Sequence, residues 1–521
     1  DGTKIDKGGW VRFGDKGQGK IDLKTATVVE GEKKERPIFE DFLEPAREAG
    51  KGLNLQVVFN DYVYFWRWAL WRLFEKQKNG GIVSFITAAS YISGPGFAGM
   101  REVLRRTFEE LWILDLGGDN LGARKTPNVF AIQIPVAIAM GYRKSSAAPE
   151  MPAKVWYAKV EGATRGDKLA SIAGLSDLAA FNWTACQSDW QAPLLPKGHG
   201  AYFDWPQLTD LFPFHTAGSV FYRSWPIAET VDTLAARWER LRNTKAEQRK
   251  PLFKESRDRK VTYLPTQSGM PGYGQPSIYS LVPTSPLVNV RAYGYRTLDR
   301  QHCILDVRCG DYLRPSLIEI ASDSQLFLVA PDAIATGEGP GMSASAHIPD
   351  QHFFCGRGGK DVIPLYRDAA GTDPNVTGGL LAMLGKAYGI DPSAEDLAAY
   401  VYAVLGGQSY TRRFWNELET PGPRVPVTKD GAIFAKAAKL GRKLIWLHTY
   451  AERFRGDDGR GDEIAPGAAK IVKGVSDSPA NYPEAYAFDP AKGEITVGDG
   501  RFGPVAPQVW EFEVSGLKVV Q

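Results

Sequence analysis

Apolar residues recur at Tyr62, Phe65, Trp66, Ala69, Leu70 and Leu73, a spacing that puts them on one face of a helix with 3.6 residues per turn. Asn60 stands ahead of them as an N-cap, and Gly80-Gly81 follows as the stop. Ile82 to Ile86 then reads as a buried strand, Met100 to Phe108 as a second helix, Leu111 to Leu116 as a second strand, and Asn128 to Ala139 as one or two more. Strand, helix and strand at this spacing predict a parallel sheet with covering helices. Upstream, Asp1 to Leu53 is rich in Gly, Lys, Asp and Glu and shows little periodicity until "PIFEDFLEPAREAG", a short amphipathic helix, so the remainder reads as a loop.

The pattern changes after "KSSAAPEMPAK", which has linker composition. A boundary is predicted there, giving a first domain at 1–145 and a second region at 146–521, with 146–210 as a candidate spacer. In the second region Pro226 opens a long helix running through "IAETVDTLAARWERLRNTKAEQRK". Thr262 to Ala330 alternates in short strand-like runs, Ser393 to Asp396 forms a capping box before "LAAYVYAVLGG", and another helix spans Gly431 to Lys439. The end, "VWEFEVSGLKVVQ", stops on a strand-like pattern with no closing turn. The fold class is α/β throughout, with no internal repeat.

Composition narrows this only a little. The 521 residues are 43% hydrophobic and 24% charged with a net charge of +3, ordinary for a globular protein, so any nucleic-acid surface must arise from local clustering. The longest apolar run, Asn128 to Tyr142, is broken by Gln133 and Pro135 and is too short to span a bilayer, so no membrane partner is expected. Cys186, Cys303, Cys309 and Cys355 lack C-x-x-C spacing and the six histidines form no H-x-x-x-H pair; free thiols of a reducing cytoplasm are expected, and no metal site. The chain opens on Asp1 without a targeting pattern, and both ends look cut, as in a fragment of a longer protein.

The segments "FNDYVYFWRWALWRLFE", "GGIVSFITAASYISGPGFAGMREVLRR" and "LWILDLGGDNLGARKTPNVFAIQIPVAIA" resemble, in that order, the adenine-specific DNA methyltransferases of single-polypeptide, or type ISP, restriction-modification enzymes. "LFKESRDR", "YRTLDRQHCILDVR", "GGKDVIPLYRD", "PGPRVPVTKD" and "LIWLHTYAERF" resemble the C-terminal specificity region of the same enzymes. The resemblance implies the downstream part of a methyltransferase (Rossmann-like) sheet, followed by a mixed α/β target-recognition region. It implies double-stranded DNA as partner, and recognition of a specific sequence with methylation of adenine at N6 by S-adenosylmethionine after base flipping. ATP and Mg enter only if the parent carries a helicase-like portion. The family's Asn/Asp-Pro-Pro-Tyr tetrapeptide and its glycine-rich cofactor motif are expected upstream of Asp1, since the chain has no Pro-Pro dipeptide. No catalytic residue is therefore expected here, and the chain alone should be inactive.

What the resemblance carries over is partial. Phe65 matches the aromatic that packs on the donor's adenine ring, and the plainer reading is an ordinary core phenylalanine. The turn Gly117 to Asn128 leaves the C-terminal end of a strand, where open α/β sheets bind ligands; Leu121 stands where the family often carries a stacking aromatic, and Arg124 and Lys125 are candidate phosphate contacts. In the second region, basic residues interleave with aromatics: Lys254, Arg257 and Arg259; Arg296 and Arg300 beside Tyr295; Arg412 and Arg413 between Tyr410 and Trp415; Arg424 and Lys429. Arginine forks read guanine edges or clamp phosphates, while Asp258, Asp299 and Asp430 offer counter-charges that favour plain ion pairs.

Two other readings stand beside this one. A DNA-binding specificity module with no catalysis of its own needs only the second region. A nucleotide-cofactor oxidoreductase is suggested by Gly94, Gly96 and Gly99 in G-x-G-x-x-G with Asp115 downstream, although "TAASYIS" separates those glycines from the preceding strand. Phe354-Cys355-Gly356-Arg357-Gly358 imitates a methyl-donor motif, yet no convincing strand precedes it.

Overall fold

A computed structural model describes residues 8–520 except 15–20, 23–26, 29–35, 49–51, 78, 121–125, 145–148, 175–176, 178–180, 197–200, 267, 288, 332–336, 338, 355–359, 416, 420–421, 477–484 and 515. The chain divides into two compact units, Asp1–Gly198 and His199–Gln521.

The first unit is built on helices α1 (Glu40–Glu48), α2 (Asp61–Leu70) and α3 (Ala98–Thr107), and on strands β1 (Gly81–Ala88), β2 (Glu110–Asp115), β3 (Val136–Arg143), β4 (Lys154–Lys159) and β5 (Thr184–Ala185). The strands form one sheet in the order β1-β3-β2-β4-β5. The expected parallel sheet is corrected in part. β1 and β2 do share a direction, but β3 lies antiparallel between them, from Gly81↔Arg143 to Ala88↔Val136 on one side and Glu110↔Tyr142 to Asp115↔Ala137 on the other. Only β2 and β4 pair in parallel. The crossover helix α3 leaves a gap one strand wide, and the returning chain fills it.

Asn60 takes the extended conformation of an N-cap without a side-chain cap bond, and after Leu70 the helix widens into π-turns from Trp71 to Lys76 before the Gly-Gly stop. Trp66 is fully buried with its ring edge-on to Phe85 at 4.9 Å, so the predicted apolar face does meet the sheet. The strand expected from Asn128 begins only at Val136. Ahead of it, Asn128 donates Nδ2–H bonds to the carbonyls of Gly118 and Ile134, both at 2.8 Å, which holds 128–135 as a bend. Phe130, Ile132 and Ile134 alternate as in a strand, yet all three are exposed.

By contact, residues 146–198, most of the candidate spacer, are part of the first compact unit. The reason lies in β4 and in two buried arginines. Arg101 donates to the carbonyl of Gln191, and Arg105 to those of Gln187, Ala192 and Pro193, so α3 clasps the loop after β5. Burial pulls both guanidinium groups down to about 10.

In the second unit the long helix expected from Pro226 breaks up. A short strand β6 (Ile227–Ala228) comes first, then α4 (Val231–Asn243) capped by the Thr230 side chain, and, after a tight turn, α5 (Arg249–Phe253). β7 (Val290–Arg296) and β8 (Asp299–Ile304) form a hairpin in the sheet β6-β8-β7, and β9 (Phe327–Pro331) is central between β10 (Ser343–Ser345) and β11 (Lys360–Pro364). The predicted capping box at Ser393 and Asp396 is present and opens α6 (Ala394–Leu405). α7 (Gly431–His448), capped by Asp430, outruns its predicted end at Lys439. It lies so close to α6 that a Cβ at Gly441 would sit 1.8 Å from the Ala399 carbonyl oxygen. Toward the C-terminus β12 (Lys470–Lys473), β13 (Tyr486–Asp489), β14 (Glu494–Val497) and β15 (Gly500–Gly503) form an antiparallel sheet. The ending expected without a turn closes as a small hairpin, Glu513–Val514 with Leu517–Lys518. Among the described residues no helix is long and apolar enough to cross a membrane.

Candidate nucleic-acid interface

Two buried carboxylates tie down the segments that carry part of the second unit's basic residues, 254–260 and the strand ending at Arg296. The first is Asp350. Tyr293, buried at the middle of β7, donates its hydroxyl to Asp350 Oδ2 at 2.9 Å, and burial pushes the tyrosine's pKa up, keeping it a donor. Asp350 Oδ1 takes the backbone N–H of His352 at 2.7 Å and lies 3.1 Å from its ring Nδ1, while Arg296 approaches to 3.3 Å. The loop is laid on β7 by backbone bonds from Gly294 N to Ile348 O and from Asp350 N to Gly294 O. Side chain is excluded at Gly294, where a Cβ would meet Ser345 Oγ at 2.5 Å.

The second carboxylate is Asp311, also fully buried. It accepts the Tyr222 N–H at 2.9 Å and the Ser256 hydroxyl, whose oxygen accepts the Arg259 N–H at 3.0 Å. Arg223 completes the joint by donating to the carbonyls of Phe253, Lys254 and Cys309. The basic segment 254–260 is thereby fixed to the turn at 307–311.

These ties sort the predicted residues. Arg257 has 74% of its side chain exposed beside Asp258, and Lys254, Arg300, Arg412, Arg413 and Lys429 are exposed as well. Arg300 pairs with Glu452 and covers the Tyr450 ring at 4.9 Å. Three others also have partners within the chain. Arg259 donates Nε–H to the Val307 carbonyl and stacks on Tyr263, Arg296 leans on Asp350 and Tyr295, and Arg424 donates to the Trp205 carbonyl. The counter-charges also differ from expectation: Asp258 does meet Arg257, but Asp299 takes the amide of Gln301 and Asp430 caps α7. Arg124, Lys125 and Leu121 lie outside the described residues, as do Cys355, Gly356, Arg357 and Gly358. Sequence reading missed Asp350 and Asp311, because a carboxylate that will be buried looks the same in sequence as one that will be solvated.

In the first unit Phe65 is 61% exposed, which overturns its reading as a core residue. A single exposed ring does not by itself make a site for a nucleotide donor. The predicted turn after β2 is firmly held at its described ends: Lys168, buried, donates Nζ–H bonds to the Leu116 and Pro127 carbonyls at 2.7 and 2.9 Å. The glycines of G-x-G-x-x-G serve packing. A Cβ at Gly99 would fall 2.2 Å from the Phe42 carbonyl oxygen, and Gly94 gives its carbonyl to Arg101 at 2.7 Å. Among the described residues no group of His, Cys, Asp and Glu is placed to hold a metal ion. Burial pushes the Cys186 thiol up to about 12, and those of Cys303 and Cys309 upward too, which suppresses thiolate chemistry.

Residues 210–521, more than half of the chain, match the Type ISP C-terminal specificity domain. No curated protein matches the chain in sequence. Among solved structures the fold is shared with the ATP-dependent Type ISP restriction-modification enzyme LlaBIII bound to DNA, at TM-score 0.61 and 17% identity over 92% of this chain and 31% of that one. It is shared with DrdV in a DrdV-DNA complex at 0.59 and 19%, over 91% and 49%. A nuclease-deletion mutant of the Type ISP restriction-modification enzyme LlaGI, in complex with a DNA substrate mimic, matches at 0.59 and 17%, over 93% and 38%. This chain therefore spans less than half the length of each of the three.

Proposed function

The chain belongs to the Type ISP C-terminal specificity domain family, and from that premise we propose that its second unit binds double-stranded DNA and reads its sequence within a restriction-modification enzyme. The observation that supports this best is the pair of buried carboxylates. Asp311 and Asp350 hold the 254–260 loop and the β7-β8 hairpin as rigid parts, so that Lys254, Arg257 and Arg300 meet solvent on preset backbone. Preset cations bind a polyanion without the entropy cost of ordering a loop. The enzyme so formed methylates adenine at N6 with S-adenosylmethionine, and the first unit is the back part of its methyltransferase sheet. On this reading the donor site and the groups that hold the extruded base belong to a part of the enzyme outside this chain, which the lack of a Pro-Pro dipeptide supports. A specificity module without catalysis of its own is favoured by that same lack, and it makes the same prediction for DNA binding.

Fluorescence anisotropy on a duplex tests the reading. Phosphate contacts alone give dissociation constants of about 10⁻⁴ to 10⁻⁶ M at physiological salt and weaken steeply as salt rises. Binding insensitive to salt, or no binding at low salt, overturns it. A radiolabelled methyl-transfer assay with the same chain is expected to give no turnover, and turnover would place the missing chemistry within these residues.

A further inference from the structure

Beside the basic loop, two tyrosines stand out of the surface on a base too rigid to be incidental. The segments around Val220 and Tyr312 run side by side, with Val220 N–H to the Tyr312 carbonyl at 2.8 Å and Tyr312 N–H to the Val220 carbonyl at 3.1 Å. Asp311, buried beneath them, holds the Tyr222 N–H. The rings of Tyr222 and Tyr312 meet at 6.2 Å and 82°, yet they remain 52% and 44% exposed. His352 lies 6.3 Å from the Tyr222 ring with its own ring oriented by Asp350. Arg257 interacts with the Tyr312 hydroxyl as well as with Asp258.

Apolar ring faces normally turn inward. Here they are held outward beside a buried carboxylate, with Arg257, 74% of whose side chain is exposed, next to the Tyr312 hydroxyl and the exposed Lys254 on the same loop. A flat apolar surface with a polyanion-binding rim matches a nucleotide, whose base offers a π-face and whose linkage offers a phosphate. An amphipathic peptide would need a groove, and a fully stacked duplex offers no free base face to a ring standing in edge-to-face contact.

We propose that Tyr222 and Tyr312 form a shelf on which an unstacked base of bound DNA lies, with Arg257 at the adjoining phosphate. This rests on the DNA-reading function above and names the state of the DNA that the surface takes. An edge-to-face pair leaves one broad ring face open, and that face takes the base. His352 borders it on the Asp350 side, where an imidazole N–H can donate to a base edge or sugar oxygen.

The test compares, for the full chain, a continuous duplex with the same duplex carrying a three-nucleotide single-stranded gap that contains 2-aminopurine. The gapped duplex is expected to bind more tightly and its 2-aminopurine to be quenched on binding. Tyr222→Leu with Tyr312→Leu should remove the quenching and weaken gapped binding by about 5- to 150-fold, the range of stacking on one base. Tyr222→Phe with Tyr312→Phe keeps the rings and should keep both signals; thermal melting of each variant verifies its fold. If both duplexes bind with steep salt dependence and the leucine variant neither loses quenching nor prefers the continuous duplex, the shelf is wrong while the DNA-reading function stands. If neither duplex binds at low salt, both fall together.

Discussion

Removing the Asp350 carboxylate takes an acceptor from three residues at once. Tyr293 loses a buried acceptor, His352 loses the partner that orients it, and Arg296 loses its counter-charge. Asp350→Ala is expected to cost about 3 kcal/mol, the scale of one buried hydrogen-bonded charge left without its partner, and urea unfolding followed by circular dichroism measures it. His448 gives a pH signature. Its Nδ1 lies 2.6 Å from the Tyr402 hydroxyl, and burial holds its pKa below the ordinary 6.5 while burial raises that of Tyr402. The tyrosine therefore donates and the imidazole stays neutral. Because the unfolded histidine takes up a proton near 6.5 and the folded one only at lower pH, stability is full above about 6.5 and falls as pH drops below it. Urea midpoints from pH 5 to 8 check this, and His448→Gln should flatten the slope. Both groups show where the sequence stops being informative. Arg257 and Arg259 are two positions apart in one basic run, yet one is solvated and the other donates to a backbone carbonyl. Composition records the charge and not its partner.

Among elements, those with a local cause were legible. The capping box at Ser393 and Asp396 is made between residues three apart in the sequence, and Ser393→Ala is expected to cost about 1 kcal/mol in thermal unfolding. The α2 face was legible because the 3.6 period and the burial coincide at Trp66 and Leu70. Residues 128–135 misled because alternation of apolar residues is only a correlate of strand, and a long-range bond from Asn128 decides against it. Nor could periodicity show that Gly441 is where two helices touch. Gly441→Ala must push α7 off α6 and should destabilise by about 2 to 3 kcal/mol despite the better helix propensity of alanine. A Gly385→Ala variant, with its nearest backbone contact at 2.9 Å, should be milder by the same melting experiment.

At the scale of the molecule, contact and not composition defines a compact unit. "KSSAAPEMPAK" reads as a linker, yet β4, which begins at its last residue, joins the first sheet in parallel with β2. Two units with separate cores should unfold separately. A piece from His199 to Gln521 is expected to keep its own cooperative transition, and calorimetry that finds none would show that the units need each other.

Among the described residues, the terminal strand β1 has a hydrogen-bonded neighbour on one side only, and its Ile82 and Ile86 are 58% and 57% exposed. A row of unsatisfied amides flanked by branched apolar side chains is a template for another chain like itself. In isolation the protein should therefore be colloidally fragile, forming oligomers whose size grows with concentration in light scattering. Ile86→Lys should disperse them without lowering the melting temperature, since a solvated charge at that edge repels a second strand while the buried face of the sheet is untouched.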